Sequence, residues 1–282
     1  MTTTVPAAPP PTAAARPAPR RRSVASGRLR DAALGTGGVL AVVLLEELLT
    51  RTGVIDPDYL PPFTVMLGAL AEELGRPDFW TALLDTLGGW AIGLTLAMVL
   101  GTVGGIVIGS LPLVRELTAS TIEFLRPIPS VALIPLVVLL FGTEPASAIT
   151  LVVYAAFWQV LVQVLYGVAD VDPVARDTAR SYRFSRVRVA RSVIWPTALP
   201  YVVTGFRLAA SVALILEITA ELVIGVPGLG REIGVAQSSG AVPKTYALVL
   251  VVGLIGVAVN LLARAVENRV LAWHPSVRMA AA

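Results

Sequence analysis

Long apolar segments, separated by short polar ones, run along most of this chain. A helix needs about 20 apolar residues to cross the hydrocarbon core of a bilayer, which is ~30 Å thick. Six segments qualify to different degrees: residues 33–50, 81–109, 119–141, 145–168, 197–225 and 245–266. The first is the weakest, because Glu46 and Glu47 lie near its end. The pattern predicts an all-α integral membrane protein with six transmembrane helices.

The remaining segments divide the chain into regions. Residues 1–32 are rich in Pro, Ala, Thr and Arg without apolar periodicity, which predicts a disordered cytoplasmic tail. A signal peptide is the alternative, but the apolar run leads into two glutamates and not into a small-residue cleavage site. We assign 33–80 to the first helix and a periplasmic amphipathic segment, 81–273 to the main transmembrane domain and 274–282 to a C-terminal tail.

Composition excludes several classes of function. The chain is 55% hydrophobic and has no cysteine, so disulfides and thiolate metal sites are excluded. Its single histidine, His274, excludes a multi-histidine metal site. The one lysine, Lys244, is not in the Gly-Lys-Ser/Thr context of a phosphate-binding loop. We therefore expect no metal, no cofactor and no covalent chemistry in this chain, and we do not expect it to be an enzyme.

The basic residues predict an orientation. An even number of spans places both termini on one side, and sixteen Arg residues then fall on that side against four Arg or Lys residues on the other. Since loops rich in Arg and Lys stay inside, we expect both termini in the cytoplasm. The same clustering beside apolar runs indicates a membrane protein and not a nucleic-acid-binding one.

The most polar region between spans is residues 170–192, with six arginines and three aspartates. Asp172 can cap a helix and Pro173 suits its first turn, so a short cytoplasmic helix is predicted. On it, four positions fall near one another by i,i+3/i+4 spacing: Val174, Asp177, Arg180 or Ser181, and Phe184. A capped helix favours docking to a partner, whereas the alternative is that the arginines only anchor the loop beside anionic lipid headgroups.

This region and its sequel resemble the EAA loop of permease subunits of bacterial ABC importers. Asp177-Thr178-Ala179 stands at the Glu-Ala-Ala position, Arg183 at the glycine and 193–196 at Ile-x-Leu-Pro. Further matches indicate the nitrate/sulfonate/taurine branch, and the resemblance covers roughly residues 59–273. These matches are 59–62, 125–129, 171–173, 198–201, 204–207, 220–222 and 228–230. Without a glycine at 183, either the turn is built differently or the helix continues through it.

The resemblance implies a type I ABC importer transmembrane domain with a cytoplasmic coupling helix. It implies a separate ATPase that binds ATP, an extracytoplasmic solute-binding protein and a second permease copy in a homodimer. The implied substrate is a small anion such as a sulfonate, taurine or nitrate, although related permeases also carry uncharged heterocycles. The implied ATPase-coupling residues are Pro173, Asp177, Thr178, Ala179, Arg180, Ser181, Tyr182 and Arg183.

Charged residues and prolines within the spans are candidates for the translocation pathway. They are Glu123, Arg126, Pro127, Pro129, Arg207, Glu217 and Glu221. Charges inside a membrane usually face a cavity or each other, and prolines break a helix. The alternatives are a packing kink at the prolines and arginines that extend to the membrane surface.

Two other classes of function remain open from the residues. An ion-gradient-driven secondary transporter would use mid-membrane carboxylates and repeated halves; Glu217 and Glu221, one turn apart, favour it, but we find no repeat. A structural membrane protein explains the hydropathy but not the polar loop. Gly101, Gly104, Gly105 and Gly109 form rows of small residues that predict close helix packing and not function.

Overall fold

The computed structural model describes the backbone of residues 24–272 and the side chains of 33–272. Within that range the α-helices are α1 (Val24–Arg51), α2 (Phe63–Leu74), α3 (Pro77–Ser110), α4 (Pro112–Leu125), α5 (Ile134–Phe141), α6 (Pro145–Ala169), α7 (Pro173–Ser181), α8 (Arg186–Val189), α9 (Trp195–Ile224), α10 (Leu229–Ser238) and α11 (Val242–Val270). A 3₁₀ turn at Ser130–Leu133 precedes α5, and a π-helical turn at Ala190–Ile194 precedes α9.

The helices agree with the predicted all-α class. Four are long and apolar enough to cross a membrane, and two bent pairs raise the number of spans to as many as six. Helix α1 forms a unit separate from residues 56–272. It begins at Val24, so residues 24–32 are helical and not the tail that the sequence predicted. The rest of that tail, 1–23, and the C-terminal tail lie outside the described residues.

Proline explains where several helices begin. Helices α3, α4, α6 and α7 each start at a proline: Pro77, Pro112, Pro145 and Pro173. The first helical position tolerates proline because its N–H would have no partner within the helix, and the fixed φ is already helical. The short connections between long apolar helices therefore end where a proline permits the next helix to start.

Helices α3 and α6 pack side by side in a constant register. Gly93, Gly101, Gly105 and Gly109 of α3 each face a valine of α6 that lies 59 residues further along the chain. A Cβ atom on any of these glycines would lie 2.5–2.9 Å from a valine side chain, closer than van der Waals contact permits. Because the offset is constant, the two helices are parallel. The prediction of close packing is confirmed for Gly101, Gly105 and Gly109, whereas Gly104 has ordinary space around it.

Helix α9 covers the other side of α6. Gly167 lies against Ala198 and Tyr201, and Gly205 lies against Val160 and Gln163. The later position on α6, residue 167, contacts the start of α9, and the earlier positions 160 and 163 contact residue 205 further along α9. The two helices are therefore antiparallel. Trp90 of α3 donates its indole N–H to the Ala210 carbonyl at 2.9 Å. Helix α6 is therefore the centre of the bundle, with twelve of its residues buried.

The predicted third span, 119–141, is not one helix. Helix α4 and the segment 130–141 meet at a bend of 85°. The break falls at Arg126–Pro129, where two prolines remove backbone donors. The Leu125 carbonyl accepts the Tyr154 hydroxyl of α6 at 2.9 Å. The half-buried Tyr154 side chain thus replaces the backbone partner that the prolines remove, which is the condition for breaking a helix inside a membrane.

A second break separates α9 from α10, with a bend of 43°. Gly225 and Gly228 there have φ of +83° and +151°, a region that glycine reaches without steric cost. Helix α10 was not predicted from the sequence. Its start is held by side chains of other helices, since Thr86 Oγ1 accepts the Leu229 N–H at 2.9 Å and a Glu221 oxygen accepts the Gly230 N–H at 2.8 Å.

Candidate functional site

Two ends of the bundle carry the candidate residues. The C-termini of α3 and α6 and the N-terminus of α9 meet near α7, and we call this the α7 end. The opposite end, where α3 and α6 begin and α9 stops, is the far end. Helix α7 starts as the sequence predicted: Asp172 is its N-cap, and its carboxylate accepts the Val174 N–H at 2.7 Å.

The end of α7 explains the residue that departs from the EAA pattern. The Phe184 N–H bonds to the Ala179 carbonyl at 3.0 Å, and the Arg183 N–H bonds to the Arg180 carbonyl at 2.9 Å. These two bonds define a Schellman motif, whose C′ residue is left-handed and usually glycine. Arg183 occupies that position with φ +54°. The helix therefore ends with the ordinary turn, and neither alternative raised by the sequence is correct.

Helix α7 is attached to the rest of the chain by a few contacts. Arg176 donates from Nη2 to the Val168 carbonyl near the C-terminus of α6 at 2.7 Å. Ala179 is buried at 3% exposure. Arg188 stacks its guanidinium over the Phe184 ring, 4.3 Å from the centroid. Ala179, one of the predicted coupling residues, therefore lies on the inner side of α7.

The outer face of α7 is exposed. Val174 is 70% exposed and Tyr182 is 74% exposed. Asp177 and Arg180 form an exposed ion pair at 3.4 Å. Pro173, Thr178, Ser181 and Arg183 are also exposed. An aromatic ring, an aliphatic side chain and charges of both signs therefore share one short, ordered surface.

Four of the candidate pathway residues lie around the break between α4 and α5. Glu123, Arg126 and Pro127 line a cavity of about 690 Å³, together with Arg115 and Tyr166. Pro129 lies just outside it and opens the 3₁₀ turn. Arg115 was not among the predicted pathway residues. It lies three turns before Arg126 on the same helix, and this spacing could have placed it on the same face. Two arginines and one glutamate give this cavity a net positive charge.

Arg207 has a partner that the sequence did not indicate. Its guanidinium lies 3.5 Å from Glu267 on α11. The two residues are sixty positions apart in the chain but lie on helices that pack together. Arg207 therefore links α9 to α11 and is not among the residues that line the cavity at Arg126.

The two glutamates of α9 lie at the far end and differ in their surroundings. Glu221 is fully buried and binds the Gly230 N–H, so its carboxylate holds the start of α10. Glu217 is 4% exposed and lines a second cavity, of about 320 Å³, with Asp85 of α3. Among the described residues no group of three His, Cys, Asp or Glu side chains could hold a metal ion.

The comparisons with known proteins agree with this architecture. The model of the family described as "Binding-protein-dependent transport system inner membrane component" matches residues 77–272. The taurine transport system permease protein TauC of Escherichia coli is 33% identical over 247 residues, covering 86% of this chain and 90% of TauC. The aliphatic sulfonates permease SsuC of Bacillus subtilis, given as putative, is 27% identical and covers 83% and 85%.

Solved structures show the same fold at lower identity. An inward-facing structure of the MetNI methionine ABC transporter matches with a TM-score of 0.57 and 19% identity, over 70% of this chain and 99% of that one. An amino acid ABC transporter with histidines matches with a TM-score of 0.56 and 20% identity, over 68% and 94%. The fold is that of a type I ABC importer transmembrane domain.

The chain belongs to the family of binding-protein-dependent transport system inner membrane components. It is a multi-pass permease subunit of an ABC importer and not an enzyme. Membership implies a separate ATPase and a solute-binding protein as partners. Family membership therefore decides against the two other classes considered from the sequence, a secondary transporter and a structural membrane protein.

Proposed function

We propose that this permease forms the pathway for a small anion, and that ATPase closure reaches the pathway through α7. The observation that carries the coupling role is the construction of α7. It has a cap at each end and a bond to the end of the central helix α6. A rigid helix fixed to the bundle can transmit a displacement, whereas lipid anchoring requires only arginines. The ATP is bound by the partner subunit.

The proposed contact with the ATPase can be tested by replacing two exposed tyrosines, one on each end of the bundle. Tyr182→Ala on α7 and Tyr59→Ala at the far end remove rings of similar exposure, 74% and 78%. A central aromatic anchor typically contributes about 2 kcal/mol or more to binding. We expect Tyr182→Ala to reduce recovery of the ATPase with the purified permease by about ten-fold or more. Tyr59→Ala should recover it as the wild type does, and equal recovery with both variants would refute the docking role.

The orientation follows from the docking role, because the ATPase and the arginine-rich loop share the cytoplasm. We propose that both termini are cytoplasmic. The chain has no cysteine, so single cysteines can be introduced without background. Tyr182→Cys should react with an impermeant maleimide only after the cells are opened, and Tyr59→Cys should react in intact cells. The reverse pattern would overturn the orientation.

We also propose that two copies of this chain form the pathway. Helix α4 has no buried residue in the described chain, and yet it carries Glu123 and ends beside Arg126. Charges at membrane depth need protein or water around them, which a second copy would supply. Ala119→Cys on α4 should cross-link two copies, while Leu262→Cys on α11 serves as the control. Cross-linking at α11 and none along α4 would contradict this arrangement.

The proposed substrate is a sulfonate, taurine or nitrate. It is supported by the relatives for taurine and aliphatic sulfonates and by the Arg115 and Arg126 side chains in the larger cavity. In proteoliposomes with the ATPase and binding protein, Arg126→Gln should slow uptake about ten-fold, since a charge-assisted bond contributes about 1.5–3 kcal/mol. The control is Arg269→Gln, which changes an exposed arginine on α11 and should leave the uptake rate unchanged. Equal rates would remove Arg126 from the pathway.

A further inference from the structure

The far-end cavity has a chemistry opposite to that of the cavity at Arg126. It lies between α3, α6 and the connection after α9, and its volume is about 320 Å³. Both charged side chains that line it, Asp85 and Glu217, are acids. The remaining lining is apolar or glycine, including Gly89, Ile149 and Pro227. A free anion would be repelled here, and a small cationic group would be attracted.

Glu217 is built into this cavity. Although its residue is 4% exposed, its Oε2 atom has no hydrogen-bond partner among the described residues. Gly89 of α3 makes room for it, because a Cβ at that position would overlap the Glu217 carboxyl group. A buried carboxylate without a partner is strongly unfavourable. Its side chain lines the cavity, so it is a group that a ligand bound there would meet.

The neighbouring glutamate has a different role. Glu221 lies one turn further along α9, and its Oε2 atom accepts the Gly230 N–H. That contact assigns Glu221 to the folding of the α9–α10 connection. Glu217 makes no comparable bond to the described backbone and does not line the cavity alone, since Asp85 faces the same space from α3. Each glutamate keeps one buried oxygen without a hydrogen-bond partner among the described residues, Oε2 of Glu217 and Oε1 of Glu221, but only Glu217 lines the cavity.

We propose that Glu217 and Asp85 bind the ammonium group of a zwitterionic aminosulfonate, so that this permease is specific for substrates of the taurine class over plain alkanesulfonates and nitrate. The proposal rests on the proposed anion-import function and refines its substrate. A substrate with an ammonium group would place a positive charge beside the two acids that line the cavity. The cavity is large enough for a molecule of that size.

The test measures binding directly to the permease, because the solute-binding protein would otherwise select the substrate. The permease–ATPase complex in lipid nanodiscs is incubated with radiolabelled taurine, without binding protein. We expect ethylammonium to compete with taurine better than ethanesulfonate does. Glu217→Gln and Asp85→Asn should each weaken taurine binding about ten-fold. Glu144→Gln, an exposed acid at the same end, is the matched control and should bind as the wild type does.

Several results would overturn the proposal. They are absence of saturable taurine binding at tens of millimolar, stronger competition by ethanesulfonate than by ethylammonium, and unchanged affinity in both acid variants. If sodium ions compete as well as ethylammonium does, and ethanesulfonate binding shows the same sodium dependence, the acids hold a free cation and not the substrate. Because Asp85 is exposed, its variant remains informative even if Glu217→Gln fails to fold.

Failure of the broader function would look different. An importer reconstituted with its ATPase and binding protein that moves no sulfonate at all contradicts anion import. Import of taurine and ethanesulfonate in the same ratio by wild type and Glu217→Gln contradicts only the ammonium site.

Discussion

The two ends of the bundle use charge in different ways. At the α7 end the charges are exposed: Asp177 and Arg180 pair in solvent, with side-chain exposures of 71% and 80%. At the far end Glu217 and Glu221 are buried. Exposed pairs contribute little to stability, so the α7 surface can be shaped for a partner. A buried carboxylate needs a specific partner; Glu221 has the Gly230 N–H, and Glu217 is the acid that we propose to meet a ligand.

The largest expected effect is at the start of α10, where Gly230→Ala should test how tightly the far end is packed. A Cβ there would meet the Ile218 carbonyl and the Leu222 backbone nitrogen, neither of which can rotate away. We expect a loss of about 1–3 kcal/mol, measured as a lower thermal unfolding temperature in detergent. Gly234→Ala, one turn later, meets only the mobile end of Leu222. It should be neutral or stabilising, and a similar loss in both variants would contradict the packing argument.

The next effect concerns the bond made by Glu221. Glu221→Leu removes the acceptor of the Gly230 N–H and should cost about 1–3 kcal/mol, because that donor is left buried without a partner. Glu221→Gln keeps an acceptor oxygen and should recover most of the loss. The check is thermal unfolding together with hydrogen exchange at the Gly230 amide. Equal destabilisation by Leu and Gln would mean that the negative charge, and not the hydrogen bond, holds the connection.

The smallest expected change in stability is at the α7 end, and there the substitution should stabilise the structure. Arg183 occupies a left-handed position that costs a non-glycine residue about 1 kcal/mol. Arg183→Gly should slow hydrogen exchange of the α7 amides, since the turn becomes less strained. Arg180→Gly, within the same short helix, should speed it by a similar free energy. Faster exchange in Arg183→Gly would show that the arginine side chain stabilises the turn by contacts that outweigh its backbone cost.

Features that depend only on neighbouring residues in the chain could be predicted from the sequence. The apolar segments predicted the long helices α1, α3, α6 and α11, because a helix needs about 20 apolar residues to cross a bilayer. Asp172 and Pro173 identified the start of α7, since capping depends only on neighbouring residues. The resemblance at 177–196 led to the family that the comparisons then confirmed.

Other features depend on residues far apart in the chain and could not be derived. The 85° bend at Pro127 needed Tyr154 of α6 to accommodate it, and a proline pair alone does not reveal whether such a partner exists. The pairing of Arg207 with Glu267 depends on how α9 meets α11. The roles of Glu217 and Glu221 were indistinguishable in sequence because they differ only in what α3 and α10 present to them.

The constant 59-residue register of α3 and α6 has a consequence for movement. The interface has five successive layers, from Gly93 with Val152 to Gly109 with Val168. One of them is the buried pair Ala97 and Ala156. In the other four, a valine of α6 packs against a glycine of α3. A displacement of less than one turn would take every valine off the small residue that accommodates it. We therefore expect these two helices to move together as one rigid unit, with any bending of the permease at the breaks after α4 and after α9.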